Sequence, residues 1–229
     1  MSGISRIQQQ SEERSGNARM RGSGRELWLK DGDQVFATSA ATGSDDDILI
    51  DAIELYTWRD GNKISNLLKH EDVDTSVVPS EARASRRFAF WAHVHEIIHV
   101  NRTKPEWEPV EGPGGRQVFK ETVDDFKVIA LPFGRSDVLW IQLVDLYNDW
   151  GNLNKGVMRI KRTGAALDTT YAIASTARTP LAPKTAEIAE LPSIQAYYLE
   201  RYSALWTPQP NAGDGVEVKQ ESAYADLPF

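Results

Sequence analysis

The chain has no cysteine, no long apolar run and no excess of basic residues, and each absence narrows what it can do. Without cysteine it can form neither a disulfide nor a thiolate zinc site. No run of about 18 apolar residues occurs, so no membrane-spanning helix is expected. The polar N-terminus has no apolar signal core, and we therefore expect a cytoplasmic protein. The formal net charge of −7 argues mildly against nucleic-acid binding, because most nucleic-acid-binding domains are basic.

That charge is unevenly distributed along the 229 residues. Residues 1–24 carry four arginines against two glutamates, and residues 207–229 carry four acidic residues against one lysine. We predict a flexible basic arm over residues 1–24, a folded core over residues 25–206 and a disordered acidic tail over residues 207–229. A site for a polyanion must then be a local basic patch and not a property of the whole surface.

The most informative stretch is residues 86–100, RRFAFWAHVHEIIHV, which allows two interpretations. As a helix, it contains the signature of a zinc metallopeptidase: His95 and His99 share a face, and Glu96 is placed as a general base. As a strand, it has one apolar face that includes Ile98 and Val100. Its other face carries Trp91 and the histidines His93, His95 and His99.

The composition of this stretch favours the strand. Aromatic and β-branched residues fill it, and Val94, Ile97 and Ile98 are poor helix formers. The peptidase would also need a third zinc ligand, and the least unsuitable candidate, Glu121, lies in a segment without helical periodicity. A zinc held by His93, His95 and His99 on one strand face is a further alternative. We expect instead a strand with solvated histidines and predict no catalytic residue, no metal and no cofactor.

Short strand patterns separated by turns run through most of the core. The expected elements are a hairpin or bent strand pair around residues 31–33, strands at residues 48–58, 86–100, 117–120, 125–132, 156–163 and 169–174, a helix that Ser136 caps and Gly151 ends, and a final helix at residues 191–206. Residues 63–85 form an irregular excursion in this scheme, and residues 101–116 form a loop. The pattern predicts a mainly β protein, an OB-like Greek-key barrel with helical insertions and a C-terminal helix.

Cationic and aromatic side chains suggest how such a barrel would be used. Binding a single strand of nucleic acid requires a basic groove for phosphates and exposed rings for bases. Arg159 and Lys161 share one face of their strand, opposite Met158 and Ile160, and should point outward. The residues predicted to contact DNA are Tyr56, Trp58, Arg86, Arg87, Phe90, Trp91, Lys155, Arg159, Lys161 and Arg162. The residues assigned instead to the core are Trp28, Trp140, Trp150, Tyr197, Tyr198 and Tyr202.

Three segments resemble phage single-stranded DNA-binding proteins of the T4 helix-destabilising type. Residues 27–33 (LWLKDGD) are similar to the opening strand and turn of that family, and residues 90–93 (FWAH) to its central strand. Residues 158–171 are similar to its closing hairpin, with a helix in the expected place before it. The resemblance covers most of residues 25–174. It implies an OB fold and sequence-independent binding of single-stranded DNA in phage replication, recombination and repair, in the cytoplasm of a host cell.

One feature of that family is missing from the chain. Members often carry a zinc ribbon with one histidine and three cysteines ahead of the central strand. The corresponding residues 62–85 contain His70 but no cysteine. The zinc of the ribbon is therefore not expected here.

The last six residues, YADLPF, are similar to the acidic Asp-Ile-Pro-Phe tip of bacterial single-stranded DNA-binding proteins. In those proteins the tip docks onto replication and repair enzymes. A disordered acidic tail can present a terminal ring and carboxylate to a basic-rimmed apolar pocket. The resemblance therefore implies a partner-binding role for Asp226, Leu227, Pro228 and Phe229 toward replication and recombination proteins.

The sequence as a whole predicts a protein that coats and protects single-stranded DNA and recruits partners through its tail. Self-association on DNA is a further possibility. The alternatives are a zinc metallopeptidase that uses His95, Glu96 and His99, and an interaction protein with an OB-like fold that does not bind DNA.

Overall fold

The computed structural model describes residues 25–60, 63–100, 102–133, 137–164 and 169–203. The predicted arm, the tail with its partner-binding tip and the predicted helix cap Ser136 lie outside these residues. The described strands are β1 (Gln34–Ser39), β2 (Ile50–Asp60), β3 (Lys63–Leu68), β4 (Arg83–His99), β5 (Glu108–Glu111), β6 (Gln117–Pro132), β7 (Met158–Thr163) and β8 (Thr170–Ser175). The described α-helices are α1 (Val138–Trp150), α2 (Thr185–Ala189) and α3 (Ile194–Ser203).

The sheet is built around β4, which is 17 residues long. One edge of β4 pairs with β6. The other edge pairs with β2 through the first half of β4 and with β1 through the second half. Strand β3 extends β2, β7 and β8 extend β1, and β5 extends β6, all in antiparallel pairs.

The mainly β class predicted from the sequence is confirmed, but the described strands form an open sheet. No pairing among them joins the outer strands β8 or β3 to β5, so no ring of strands is completed within this part of the chain. In the same described part, no helix is long and apolar enough to cross a membrane.

Both faces of β4 are buried from Phe88 to Val94, because a helix packs over each face of the sheet. Phe88 and Phe90 lie in a core that includes Leu143 of α1, which we call the α1 core. Ala89 and Trp91 point the other way, into a second core under α3, which we call the α3 core. The tyrosines Tyr197, Tyr198 and Tyr202 are buried in the α3 core, as predicted.

A β-bulge interrupts β4 at His95. The pairing of β4 with both β1 and β6 shifts register between Val94 and Glu96. An extra residue in a strand reverses the alternation of its side chains beyond that point. Ile97 therefore enters the α1 core, whereas the sequence pattern assigned Ile98 to that face.

Several local predictions are corrected by the pairing. The stretch at residues 63–85, expected to be irregular, contains β3 and the start of β4, and the loop expected at residues 101–116 contains β5. The two strands expected at residues 117–132 are one strand, β6. The hairpin expected around residues 31–33 is absent, because β1 pairs with β4 and β7.

The end of α1 agrees with the sequence. Gly151 adopts a left-handed conformation with φ of 69°, and its N–H donates to the carbonyl oxygen of Tyr147 at 2.7 Å. Glycine favours this cap because it has no Cβ to clash in the left-handed region. The helix therefore stops where the glycine predicts.

Candidate nucleic-acid interface

The histidine-rich stretch is a strand, as the sequence favoured, but only His95 among its three histidines is partly exposed, with its Nε2 atom 3.1 Å from Thr38 Oγ1. His93 and His99 are buried. The Nε2 atom of His93 lies 2.7 Å from Asp124 Oδ1, and that of His99 lies 2.8 Å from Glu121 Oε2. Each buried imidazole is thus hydrogen-bonded to a carboxylate.

The zinc interpretation uses His95 and His99 as metal ligands, so the contacts of His99 test it. A catalytic zinc needs ligands that converge and leave one position open. His99 instead stacks on Trp107, with ring centroids 3.8 Å apart, and accepts a hydrogen bond from Arg102 Nε at Nδ1. Among the described residues, no group of three or more histidine or acidic side chains is placed to hold a metal ion.

The aromatic rings are distributed almost opposite to the prediction. Trp58, Phe90 and Trp91, expected to be exposed for stacking, are at most 6% exposed. Trp91 Nε1 donates to the carbonyl oxygen of Pro192 at 2.9 Å. Trp28 and Trp140, expected in the core, are 36% and 39% exposed. The expected exposure of Trp58, Phe90 and Trp91 is wrong, and these rings offer no free face to a base.

The arginines predicted to bind DNA do not lie together on one surface. Arg86 and Arg87 are neighbours in β4 and therefore lie on opposite faces of the sheet. Arg162 is 5% exposed and donates to the carbonyl oxygen of Leu29 and to Thr169 Oγ1. Arg162 is therefore buried and engaged in internal hydrogen bonds, and its contact with DNA stays a prediction.

The remaining predicted cations are exposed but do not form one surface. Arg159 and Lys161 point outward from β7, as predicted, on the face opposite the α1 core. Lys155 is exposed in the turn after α1. Tyr56 and Arg86 lie on the α1-core face of the sheet, since their strand positions alternate with those of the α3 core. The predicted site is thus divided between two faces.

On the Arg86 face, exposed or half-buried rings and cations follow one another, starting at α1. The ring of Trp140 lies 6.0 Å from that of Phe133, and both contact the edge of buried Phe88. The guanidinium of Arg86 sits over Phe133, 4.8 Å from the ring centroid. A cation over a ring face at this distance is attracted by the ring quadrupole.

The sequence of rings and cations continues across β2. Glu54 is the cross-strand neighbour of Arg86, and its Oε2 atom accepts from Lys69 Nζ at 3.1 Å. Lys69 Nζ in turn lies 5.9 Å from the ring centroid of Tyr56. The hydrogen bond and charge of Glu54 raise the pKa of Lys69 above its usual value, so the ammonium stays charged. We call Tyr56, Lys69, Arg86, Phe133 and Trp140 the ring-and-cation row.

A groove of about 570 Å³ opens beside the α1 end of this row. Its apolar lining comes chiefly from Phe88, Phe133, Trp140 and Leu143. One wall is the loop of residues 42–49, which wraps around the carboxylate of Asp47. That carboxylate accepts hydrogen bonds from the amides of Thr42, Gly43 and Leu49 and from the Thr42 hydroxyl.

Three members of the row were missed by sequence reasoning. The buried residues of α1 are Leu139, Leu143 and Leu146, spaced by four and three positions, and this narrow stripe leaves Trp140 beside it. The spacing alone was a usable signal for an exposed Trp140. Phe133 and Lys69 gave no comparable signal, because their position depends on how β6 and β3 join the sheet.

The opposite face, around β7, is less suited to bases. Its ring, Phe36, is only 9% exposed and is covered by the guanidinium of Arg178 at 3.6 Å. Arg178 is paired with Glu96 at 2.7 Å. Arg159 and Lys161 add charge there, but the Phe36 ring beside them is covered.

No protein-family model matches the chain, and no curated protein or solved structure is significantly similar to it.

Proposed function

We propose that the chain binds single-stranded DNA without sequence preference, through the ring-and-cation row. The observation that carries the proposal is the alternation of solvent-accessible rings with cations on one face. Stacking on exposed rings and neutralisation of phosphates are the two interactions that sequence-independent binding of single strands requires.

Each part of the row has a separate task in this proposal. Trp140, Phe133 and Tyr56 offer ring faces or edges to successive bases. Arg86 and Lys69 hold the phosphates that connect those bases. Lys69 is hydrogen-bonded to Glu54, and Arg86 packs over the ring of Phe133. Both cations are therefore positioned before a ligand arrives, which reduces the entropy lost on binding.

The wider role follows the resemblance stated from the sequence. We propose that the protein coats single strands during phage DNA replication, recombination and repair, with a sheet related to the OB barrel. Binding of replication and recombination proteins by Asp226, Leu227, Pro228 and Phe229 belongs to the same proposal. Its support is the sequence of the tip, which lies outside the described residues.

Replacing Trp140 with alanine should weaken binding of a short mixed-sequence DNA single strand about tenfold. The reason is the loss of one stacking platform, worth about 1–3 kcal/mol per base. Affinity is measured by fluorescence anisotropy of a labelled oligonucleotide, which does not depend on tryptophan emission.

Trp28→Ala is the matched control, because Trp28 is exposed to a similar extent and does not line the groove. It should leave affinity unchanged. Arg86→Gln should reduce the slope of log affinity against log salt by about 0.7, as expected for one phosphate on a single strand. Absence of wild-type binding at low salt, or equal effects of the two tryptophan variants, would overturn the proposal.

A further inference from the structure

The groove beside the row carries carboxylates that phosphate binding does not explain. Asp45 and Asp137 are exposed and line it, with Arg86 as the cation among the lining residues. Asp51 also contributes to the lining, but its Oδ2 atom accepts a hydrogen bond from Gln195 Nε2 of α3, on the other face of the sheet. Asp47 also lines the groove, but its oxygens hold the loop of residues 42–49 together. Two exposed acidic side chains beside an apolar floor are an unusual lining for a site that meets a polyanion.

These charges restrict how a strand can lie. A phosphodiester inside the groove would be repelled by the carboxylates, so the backbone must pass along Arg86 and Lys69, outside it. A base attached to that backbone can then enter the groove. Its face meets the rings of Phe133 and Trp140, and its polar edge meets the carboxylates of the rim.

A carboxylate accepts hydrogen bonds but donates none. The edge of a bound base must therefore offer N–H groups. Cytosine, adenine and guanine have an exocyclic amino group, and pairing of aspartate or glutamate with the cytosine amino group is an established mode of base recognition. Thymine offers only its N3–H, which lies between two carbonyl oxygens that a carboxylate repels.

We propose that this groove is a base-binding subsite that prefers amino-bearing bases to thymine, with Asp45 and Asp137 as the acceptors. The inference rests on the proposed function, since it assumes that a single strand lies on the ring-and-cation row. With this subsite, the protein binds strands of any sequence, but its affinity depends on their base composition.

The test compares oligo-dC with oligo-dT of equal length, because the two pyrimidines have rings of the same size and the same backbone. One charge-assisted hydrogen bond at an exposed rim should make oligo-dC bind about five- to tenfold more tightly. Dissociation constants are measured by anisotropy at one fixed salt concentration.

Two matched double variants distinguish base recognition in the groove from the general electrostatic effect of removing negative charge. Asp45→Asn with Asp137→Asn removes two acceptor carboxylates of the groove. Asp46→Asn with Asp149→Asn removes two exposed carboxylates that do not line it. Both should strengthen binding of either oligonucleotide by reducing repulsion, but only the first should bring the affinity ratio of oligo-dC to oligo-dT close to one.

The outcomes distinguish this inference from the proposed function. If the wild-type protein binds neither oligonucleotide, the proposed function fails. If it binds both equally, or if the groove variant keeps the wild-type ratio, single-strand binding stands and the base preference is wrong. Binding of an arginine-rich peptide that the groove variant abolishes, without binding of either oligonucleotide, would instead identify the groove as a basic-peptide site and overturn both.

Discussion

Replacing Trp91 with alanine is expected to lower the free energy of unfolding by about 3–5 kcal/mol. The indole has no solvent exposure, and it contacts the edge of Tyr197 at a centroid distance of 5.2 Å. Its Nε1–H bond to Pro192 ties β4 to the segment that leads into α3. Truncation would leave a large cavity between the sheet and α3. Urea unfolding followed by far-ultraviolet circular dichroism measures the loss.

Trp91→Phe provides a folded variant that separates stability from binding. It keeps an aromatic ring in the α3 core but leaves the carbonyl oxygen of Pro192 without its donor, which should cost about 1–3 kcal/mol. Because Trp91 has no accessible face, this variant should bind single-stranded DNA with wild-type affinity. A tenfold loss of affinity in a folded Trp91→Phe protein would restore Trp91 as a stacking residue and contradict its placement in the core.

Replacing Asp33 with alanine is expected to cost about 2–3 kcal/mol of unfolding free energy at neutral pH, because the buried carboxylate makes a charge-assisted hydrogen bond to half-exposed Arg102. Asp33 has no solvent exposure. Its carboxylate accepts from the Lys30 amide at 2.9 Å and from Arg102 Nη2 at 2.8 Å, and it lies 3.4 Å from His99 Nδ1. Removing it leaves the guanidinium of Arg102 without this counter-charge. Asp46→Ala, at an exposed loop position, should change stability by less than about 0.5 kcal/mol.

The effect of Asp33 depends on pH in a defined direction. Burial alone would raise the pKa of this carboxyl, but the neighbouring His99, the Lys30 amide and the charge of Arg102 outweigh burial and hold the pKa below 3.8. A group whose pKa is depressed by folding stabilises the fold above its unfolded pKa, and that stabilisation is lost as pH falls through the folded value. The difference between wild type and Asp33→Ala should therefore be constant down to about pH 4 and shrink below it. A difference that stays constant through that range would refute the role given to the charge.

Much of the local structure follows from the order of the residues. Aromatic and β-branched content identifies residues 86–100 as a strand, and Gly151 marks the end of α1. Alternation on β7 places Met158 and Ile160 inside and Arg159 and Lys161 outside. These predictions succeed because each depends on interactions within one element or its adjacent turn.

The candidate site was less predictable, because exposure depends on what packs on each face. Alternation identifies a solvent face only where a sheet is covered on one side, and β4 is covered on both. Trp91 shares its face with His93 and therefore looked exposed in the sequence, whereas α3 covers that face from more than 100 residues away. Arg162 is likewise buried by Leu29 and Thr169, contacts that no periodicity reveals.

The sequence by itself determined a mainly β chain with one central histidine-rich strand, a helix that ends at Gly151 and outward cations on β7. The tertiary structure alone decided which rings reach solvent, that Arg86 and Arg159 lie on opposite faces, and that Arg86, Phe133 and Trp140 meet beside an acid-rimmed groove. The physical reason is the range of the interactions. Backbone conformation and side-chain alternation are set by neighbours in the chain, whereas burial is set by distant segments that the local pattern does not encode.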